Sequence, residues 1–231
     1  EKYSGLLKEN INKYFWDEKQ GCYTCYLYPE YLGYRPTQRV GVMSNGLAAV
    51  LDIATTGQSI QMVENFPLYP YGAAVLYPSI PDDFSYHNKS VWPVWETPYM
   101  YAARDVKNTK VVEHMIKSLV RAGALFLTHK ENMTYDTGYD CGTALNSSRQ
   151  LWSVASYISM VYRVLFGMTM EEEGITFTPA VPDLVDGKIS LENFRYRDAV
   201  LNVNITGKGN TVKKITVNGQ DQKLPYLLPA T

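Results

Sequence analysis

The residues best suited to chemistry lie between positions 84 and 95, in the stretch FSYHNKSVWPVW. The preceding segment, 67–89, contains four prolines and cannot be continuously helical. Aromatic rings and hydrogen-bonding groups on an irregular segment suit sugar recognition, because sugar rings present apolar C–H faces and hydroxyl edges. The candidate binding residues are Tyr86, His87, Asn88, Trp92 and Trp95. The alternative is that the two tryptophans are core anchors for the following helix, and we expect this of at least one of them.

A second stretch, KENMTYDTGYDCGTALNSSRQLW at 130–152, places carboxylates on a long irregular loop. It contains Glu131, Asp136 and Asp140, and it ends at Trp152. A carboxylate partly shielded by aromatic side chains can keep a pKa suited to general-base catalysis. The alternative is a solvated glutamate near a helix end, although the helix dipole disfavours a carboxylate there.

Cysteines and histidines give little support for a metal or redox centre. Cys22 and Cys25 form a C-x-x-C pair on a segment that we expect to be an exposed strand, and Cys141 is distant in sequence. Positions i and i+3 of a strand point to opposite faces, so a shared metal ion is disfavoured. We therefore interpret these cysteines as small, semi-buried apolar residues and expect no metal and no organic cofactor.

Charge and hydropathy exclude two classes of partner. The 22 Lys and Arg residues balance 23 Asp and Glu residues, which leaves a net charge of −1. The chain therefore has no overall positive electrostatic field that would attract nucleic acid. No apolar run approaches the roughly 18 residues that a membrane-spanning helix needs. We expect neither nucleic acid nor membrane as a partner. The chain begins at Glu1 and not at methionine, so we expect it to be a piece of a longer or processed protein.

Apolar spacing predicts helices in the first part of the chain, with long loops at 67–89 and 131–148. The predicted helices span 4–16, 42–54, 59–66, 92–106, 109–128 and 149–166. In the first of them Leu7, Ile11 and Tyr14 recur at a spacing that predicts a buried face. The six segments are expected to pair into three helical hairpins.

From about residue 174 onward, β-branched residues alternate with polar ones between turn signals. This pattern predicts strands at 174–178, 187–191, 195–206 and 211–217, with 199–219 forming one hairpin. The expected fold class is therefore mainly α with a C-terminal β-module. The expected domains are a helical part at 1–170 and a small antiparallel β domain at 171–231.

Both candidate stretches resemble glycoside hydrolases with the six-hairpin (α/α) barrel, in particular the group that includes processing α-glucosidase and mannosylglycerate hydrolase. YHNKSVWP at 86–93 is similar to the Y-H-N-G-x-V-W-P segment that lines the sugar subsite in that clan. ENMTYDTG at 131–138 resembles the segment whose glutamate is the general base, and Trp152-Ser153 falls where that family opens its last helix. Asn88-Lys89 departs from the usual Asn-Gly, and the loop at 138–152 is longer.

The resemblance implies helical hairpins of an (α/α)6 toroid, with about three of six present, so that the chain would be the C-terminal half of a catalytic barrel. It implies an inverting glycosidase acting on an α-linked sugar, with Glu131 as general base. Tyr86, His87, Asn88, Trp92 and Trp152 would shape the sugar subsite. The general acid would come from the missing N-terminal half, which is then a partner of this chain. Within the chain, Glu96 is the weak substitute.

Two other functions stay open at this stage. One is a non-catalytic carbohydrate-binding or interaction module, in which aromatic residues would carry the affinity and Glu131 would be dispensable. The other is a phosphorylase, which needs an anion site. In each case the expected partner is an oligosaccharide or glycoside, and carbohydrate processing favours a periplasmic or extracellular location.

Overall fold

The structure is a computed structural model that describes residues 2–81, 86–143 and 145–229. It shows that the expected fold class is wrong. The protein is 35% helical and 27% strand, with the strands in many small antiparallel sheets, so it is mixed α/β and not mainly α. The physical reason is the shortness of the early strands. A two-residue strand has no room for the alternation that identifies strands in a sequence.

The described residues contain six α-helices close to the predicted positions. They are α1 (Lys2–Phe15), α2 (Val42–Val50), α3 (Thr56–Asn65), α4 (Pro93–Asp105), α5 (Thr109–Phe126) and α6 (Leu151–Ser159). A π-helical turn, Met160–Leu165, follows α6. None of the helices in the described ranges combines the length and apolar composition needed to cross a membrane.

Strands are distributed along the whole chain. The first ten are β1 (Trp16–Asp17), β2 (Cys22–Tyr23), β3 (Leu27–Glu30), β4 (Gly33–Pro36), β5 (Val40–Gly41), β6 (Leu68–Tyr69), β7 (Gly72–Ala73), β8 (Leu76–Tyr77), β9 (Ser90–Val91) and β10 (Met133–Thr134). The others are β11 (Met168–Met170), β12 (Gly174–Phe177), β13 (Lys188–Tyr196), β14 (Ala199–Thr206), β15 (Ile215–Val217), β16 (Gln220–Gln222) and β17 (Leu227–Pro229). The segment predicted as a loop at 67–89 thus contains three of these strands.

The chain forms two compact units, Glu1–Tyr157 and Ile158–Thr231. The division falls within the last predicted helix, whereas the expected domain boundary lies after residue 170. Local capping explains several helix starts in the first unit. Thr55 and Gln58 form a capping box at α3, and the Asn108 side chain accepts from the backbone N–H of Val111 at α5. Proline begins α4, where a missing N–H has no cost.

The core of the first unit lies where α2 packs closely against α4. Gly46 of α2 allows this approach, because a Cβ at that position would lie 2.3 Å from the backbone nitrogen of Tyr99. Tyr99 is fully buried, and its hydroxyl donates to the carbonyl of Val63 at 2.8 Å. Methionine and leucine side chains from α3, α4 and α5 complete this core: Met62, Met100, Met115 and Leu119.

Helix α1 lacks the buried face predicted for it. Leu7 is 61% exposed and Tyr14 is 44% exposed. Asn12, in the C-terminal half of the helix, donates to the carbonyl of Ile53 at 2.8 Å. Periodicity correctly indicates an amphipathic helix, but it cannot indicate whether a partner covers the apolar face.

The second unit contains a nine-residue and an eight-residue strand, β13 and β14, paired with each other. The predicted hairpin at 199–219 is therefore wrong. β14 pairs with β13 across a tight turn at Arg197, and β15 pairs with β16 across Asn218-Gly219. The Asn-Gly signal marks a real turn, but this turn joins β15 to β16 and does not end the predicted hairpin. A separate sheet in the order β11-β12-β17 contributes to the apolar cluster of this unit, with Phe166, Met168, Ile175 and Tyr196 buried.

Candidate functional site

A pair of short strands brings the two candidate stretches together. β9 and β10 are antiparallel, with Val91 opposite Met133. Both of these side chains are buried, and they form an apolar cluster with Ala122 of α5. The aromatic residues that flank β9 therefore lie beside the carboxylate that precedes β10.

Glu131 is held in one orientation by hydrogen bonds to both carboxylate oxygens. Its Oε1 accepts from the Tyr86 hydroxyl and from Nε2 of Gln150, the latter at 3.1 Å. Its Oε2 accepts from the backbone N–H of Ser147 at 2.9 Å, and the Glu131 N–H donates to the Ser147 carbonyl at 3.0 Å. The residue is only 8% exposed. Since each oxygen has two lone pairs, Oε2 keeps acceptor capacity that the described residues do not fill.

Four rings form a cluster beside this carboxylate. Tyr86 meets Trp92 edge-on, with ring centres 4.8 Å apart. His87 lies 5.0 Å from Trp92 and 4.9 Å from Trp95. Such distances are typical of packed aromatic pairs. The structure thus brings together Glu131 and four of the predicted binding residues.

The cluster has a buried part and an accessible part. Trp92 is 4% exposed, and its indole N–H donates to Oγ of Ser90 at 3.0 Å, so it acts as a packing anchor. His87 is exposed, and Trp95 is half-buried. Of the two tryptophans, Trp95 is therefore the one that can offer a ring surface to a ligand.

Asn88 has a structural role in this loop. It is 5% exposed, its Oδ1 accepts from the backbone N–H of Ile80 at 2.9 Å, and its Nδ2 donates to the Ile80 carbonyl at 2.8 Å. These bonds engage the amide that was expected to contact sugar hydroxyls. Asn88 fixes the loop that carries Tyr86 and His87.

Trp152 lies apart from the aromatic cluster. It occupies the first turn of α6, is 59% exposed, and has no ring contact with the cluster in the described part of the chain. The residue that reaches Glu131 from this region is Gln150, whose backbone N–H also donates to the His129 carbonyl at 2.8 Å. No spacing signal marks Gln150 or Ser147 as a partner of Glu131, because their approach depends on how the loop folds back.

The other loop carboxylates serve local contacts. Asp140 forms an ion pair with Lys130 at 2.7 Å. Asp136 is exposed, and its Oδ1 accepts from the N–H of Thr137 at 2.8 Å. In the described part of the chain, neither acidic residue forms a hydrogen bond or an ion pair with Glu131.

Glu96 is a core residue and not a surface acid. It is 1% exposed, and one oxygen accepts from the N–H of Ala73 at 2.6 Å. The other oxygen lies 3.3 Å from Oγ of Ser118. Burial raises the pKa of Glu96 to about 8, opposed by these two hydrogen bonds. A glutamate in this setting does not reach a ligand at the aromatic cluster, so the substitute role considered for it is not supported.

The protonation states of the cluster follow from its surroundings. Desolvation, together with the hydrogen bond and charge of Glu131, raises the pKa of Tyr86 to about 12, so the phenol is a donor at neutral pH. Desolvation lowers the pKa of His87, and the nearby Glu131 opposes this shift. His87 is therefore a neutral ring at neutral pH, with one nitrogen able to donate and one able to accept.

The described residues contain no group of three or more His, Cys, Asp or Glu side chains that could hold a metal ion. Cys22 is buried and not on an exposed strand as expected. Burial raises the pKa of Cys22 to about 12 and that of Cys25 to about 11. Both thiols therefore lack the thiolate character that redox chemistry needs.

Comparison of the sequence with models of known protein families gives no match. Comparison with curated proteins gives no match either.

Proposed function

We propose that this chain supplies the general base and part of the sugar subsite of a glycoside hydrolase, an inverting enzyme acting on an α-linked sugar. One observation carries the proposal. A nearly buried carboxylate, Glu131, is hydrogen-bonded to the Tyr86 phenol at the edge of an aromatic cluster. The resemblance of residues 86–93 and 131–138 to the sugar-binding and general-base segments of glycosidases supports the same assignment.

The base acts through Oε2 of Glu131 in this proposal. Oε1 already accepts two hydrogen bonds, from Tyr86 and Gln150, whereas Oε2 accepts one, from Ser147. The free lone pair of Oε2 takes the proton of the attacking water as its oxygen adds to the anomeric carbon. The donors on Oε1 keep the carboxylate from rotating during this step.

The sugar ring is held by the accessible rings. Trp95 offers a stacking face, and the neutral His87 donates or accepts a hydrogen bond at a sugar hydroxyl. The buried Trp92 packs against both rings.

An inverting hydrolase also needs a carboxylic acid about 6.5–9.5 Å from the base to protonate the leaving group. Glu96 is enclosed in the core, and Asp140 is paired with Lys130. We propose, as the resemblance implies, that the acid comes from a segment outside this chain, which would be its partner in catalysis.

A glycosyl fluoride tests the base without the acid, because fluoride leaves with little protonation. We expect the full chain to hydrolyse one member of a panel of α-glycosyl fluorides, with a product of inverted configuration seen by proton NMR. Glu131→Gln should reduce this rate by at least about a hundredfold. Glu64→Gln, which changes an exposed glutamate in α3, is the matched control. Unchanged hydrolysis by Glu131→Gln would refute the assignment.

The reciprocal bonds between Glu131 and Ser147 favour a second candidate, a non-catalytic carbohydrate-binding module. In that case the carboxylate only shapes the loop. Calorimetric titration with mono- and oligosaccharides separates the two functions. Binding that survives Glu131→Gln but is lost in Trp95→Ala, without hydrolysis of any fluoride, would favour the module.

A further inference from the structure

The second unit contains an open cavity of about 910 Å³ between two strands that follow each other in the chain. One wall is formed by the consecutive residues 200–209, which include most of β14, and the other by 211–218, which include β15. Because neighbouring side chains of a strand point to opposite faces, a cavity on one face would be lined by every second residue. This cavity therefore runs along the edges of β14 and β15.

Both of these edges are unpaired in the described part of the chain. There, β14 pairs with β13 alone and β15 pairs with β16 alone, each in a two-stranded sheet. Every second residue of such a strand directs its N–H and C=O away from the partner strand. The backbone groups of 211–213, which lead into β15, also form no hydrogen bond with any described residue. Backbone donors and acceptors are therefore available on both sides of the cavity.

Apolar side chains line the same cavity. Leu201, Val203 and Ile205 are alternate residues of β14, and all three pack against the apolar cluster of this unit while remaining half-buried. Phe177 of β12 and Leu228 of β17 line the cavity as well and pack against the same cluster. A strand added beside β14 would place every second side chain on this surface and bury it further.

The charged residues of the cavity are all positive. Lys208, Lys213 and Lys214 line it, and none of the described lining residues is an aspartate or glutamate. Nζ of Lys208 donates to the backbone carbonyl of Asp183 at 2.7 Å, which leaves its charge unbalanced. Lys214 forms an ion pair with Asp221 at 2.9 Å, but both side chains are largely exposed, so this pair is weak. The cavity therefore favours a negatively charged occupant.

We propose that an extended acidic segment of a partner protein binds between β14 and β15 as an added strand. Its main chain pairs with the two free edges, its apolar side chains cover the surface around Val203, and its acidic side chains meet the three lysines. A second copy of this chain is a poorer occupant, because it would bring the same lysines to the edge and like charges on paired strands repel. This site depends on neither Glu131 nor any hydrolysis.

Fluorescence anisotropy with the full chain at roughly 0.15 M ionic strength tests the site. The probe is a labelled peptide of alternating glutamate and valine, eight residues long like β14. We expect saturable binding with one site per chain. The same peptide with lysine in place of glutamate should bind at least about tenfold more weakly. So should the acidic peptide when the backbone nitrogen of every second residue is methylated, because it keeps its side chains but loses the donors for one edge.

Lys213→Glu/Lys214→Glu should weaken binding of the acidic peptide by at least about tenfold. Lys188→Glu/Arg195→Glu makes the same change of charge at exposed residues of β13 that do not line the cavity, and it should bind as the wild type does. The proposal is overturned if the acidic peptide does not bind saturably, if methylation of its backbone has no effect, or if the two double variants bind alike. Sedimentation equilibrium checks the other occupant, because a dimer that the peptide cannot displace would assign the edges to a second copy and overturn the proposal. Circular dichroism checks folding, and the methylated peptide decides the matter if a variant does not fold.

Discussion

The Tyr86 hydroxyl donates to Oε1 of Glu131 although the two residues are 45 positions apart in sequence. Tyr86 lies in the loop between β8 and β9, and Glu131 lies between α5 and β10. The pairing of β9 with β10 makes this contact possible, because it aligns the ends of both loops. The phenol thereby connects the predicted sugar-binding stretch to the predicted base.

The titration of Tyr86 should report this contact directly. Desolvation is the largest cause of its raised pKa of about 12, and the hydrogen bond and charge of Glu131 are the others. Glu131→Gln should therefore move the pKa of this phenol downward toward its ordinary value, without reaching it. The measurement is the ultraviolet absorbance difference, between pH 9 and 13, of paired proteins with and without Tyr86→Phe. An unchanged Tyr86 midpoint in Glu131→Gln would contradict the contact.

The two tryptophans of the aromatic cluster should behave differently when truncated. Trp92→Ala removes a buried ring and should reduce the free energy of unfolding by about 3–5 kcal/mol. Trp95→Ala should leave stability closer to that of the wild type, since Trp95 is only half-buried, and should weaken saccharide binding by about tenfold. Urea denaturation and calorimetry measure the two effects. Comparable saccharide affinity in Trp95→Ala and the wild type would show that this ring does not form the subsite.

Glu96 should make the first unit less stable as pH rises. Its pKa is raised from 4.5 to about 8 in the folded protein, chiefly by burial, so the unfolded chain loses its proton first. The stabilising contribution is complete below about pH 4.5 and is lost as pH rises through about 8, at up to ~1.4 kcal/mol per pH unit. Glu96→Gln should flatten this dependence, because a neutral amide has no proton to lose.

Urea denaturation between pH 5 and 8 compares this variant with the wild type and with Glu64→Gln, whose side chain is exposed. The wild type and the Glu64 variant should become less stable relative to Glu96→Gln as pH increases. Parallel curves for all three proteins would mean that Glu96 is ionised throughout.

Two glycines should respond to alanine in opposite directions. At Gly46 the added Cβ would meet the backbone of Tyr99 at 2.3 Å, so Gly46→Ala should force α2 and α4 apart and destabilise the protein by about 1–3 kcal/mol. Nothing lies within 4 Å of the corresponding Cβ at Gly57 in α3, so Gly57→Ala should be stabilising by up to about 1 kcal/mol. Thermal melting of the two variants shows whether each change raises or lowers stability. Equal effects would show that α2 and α4 do not pack as described.

The sequence predicts the helices well because their signals are local. The capping pair Thr55 and Gln58 and the apolar period of α5 act over one or two turns. The fold class could not be read in the same way. Strands such as β9 and β10 exist only because distant segments meet, and two residues carry no period of their own.

Only part of the candidate site was predictable, because residue types are visible in the sequence and long-range contacts are not. Residue type alone marks Tyr86, His87, Trp95 and Glu131 as useful groups. It does not distinguish a tryptophan that supports a site from one that faces a ligand, and it gives no sign that the amide of Asn88 binds the backbone of Ile80.

The double link between Glu131 and Ser147 closes the intervening loop into a ring. Changes at the far side of that ring, around exposed Cys141, need not be transmitted to the carboxylate. Residues could be inserted or exchanged there while the acidic group keeps its place. If Glu131 is the base that we propose, this loop is a region where substrate specificity can diversify under selection while the position of the base stays constant.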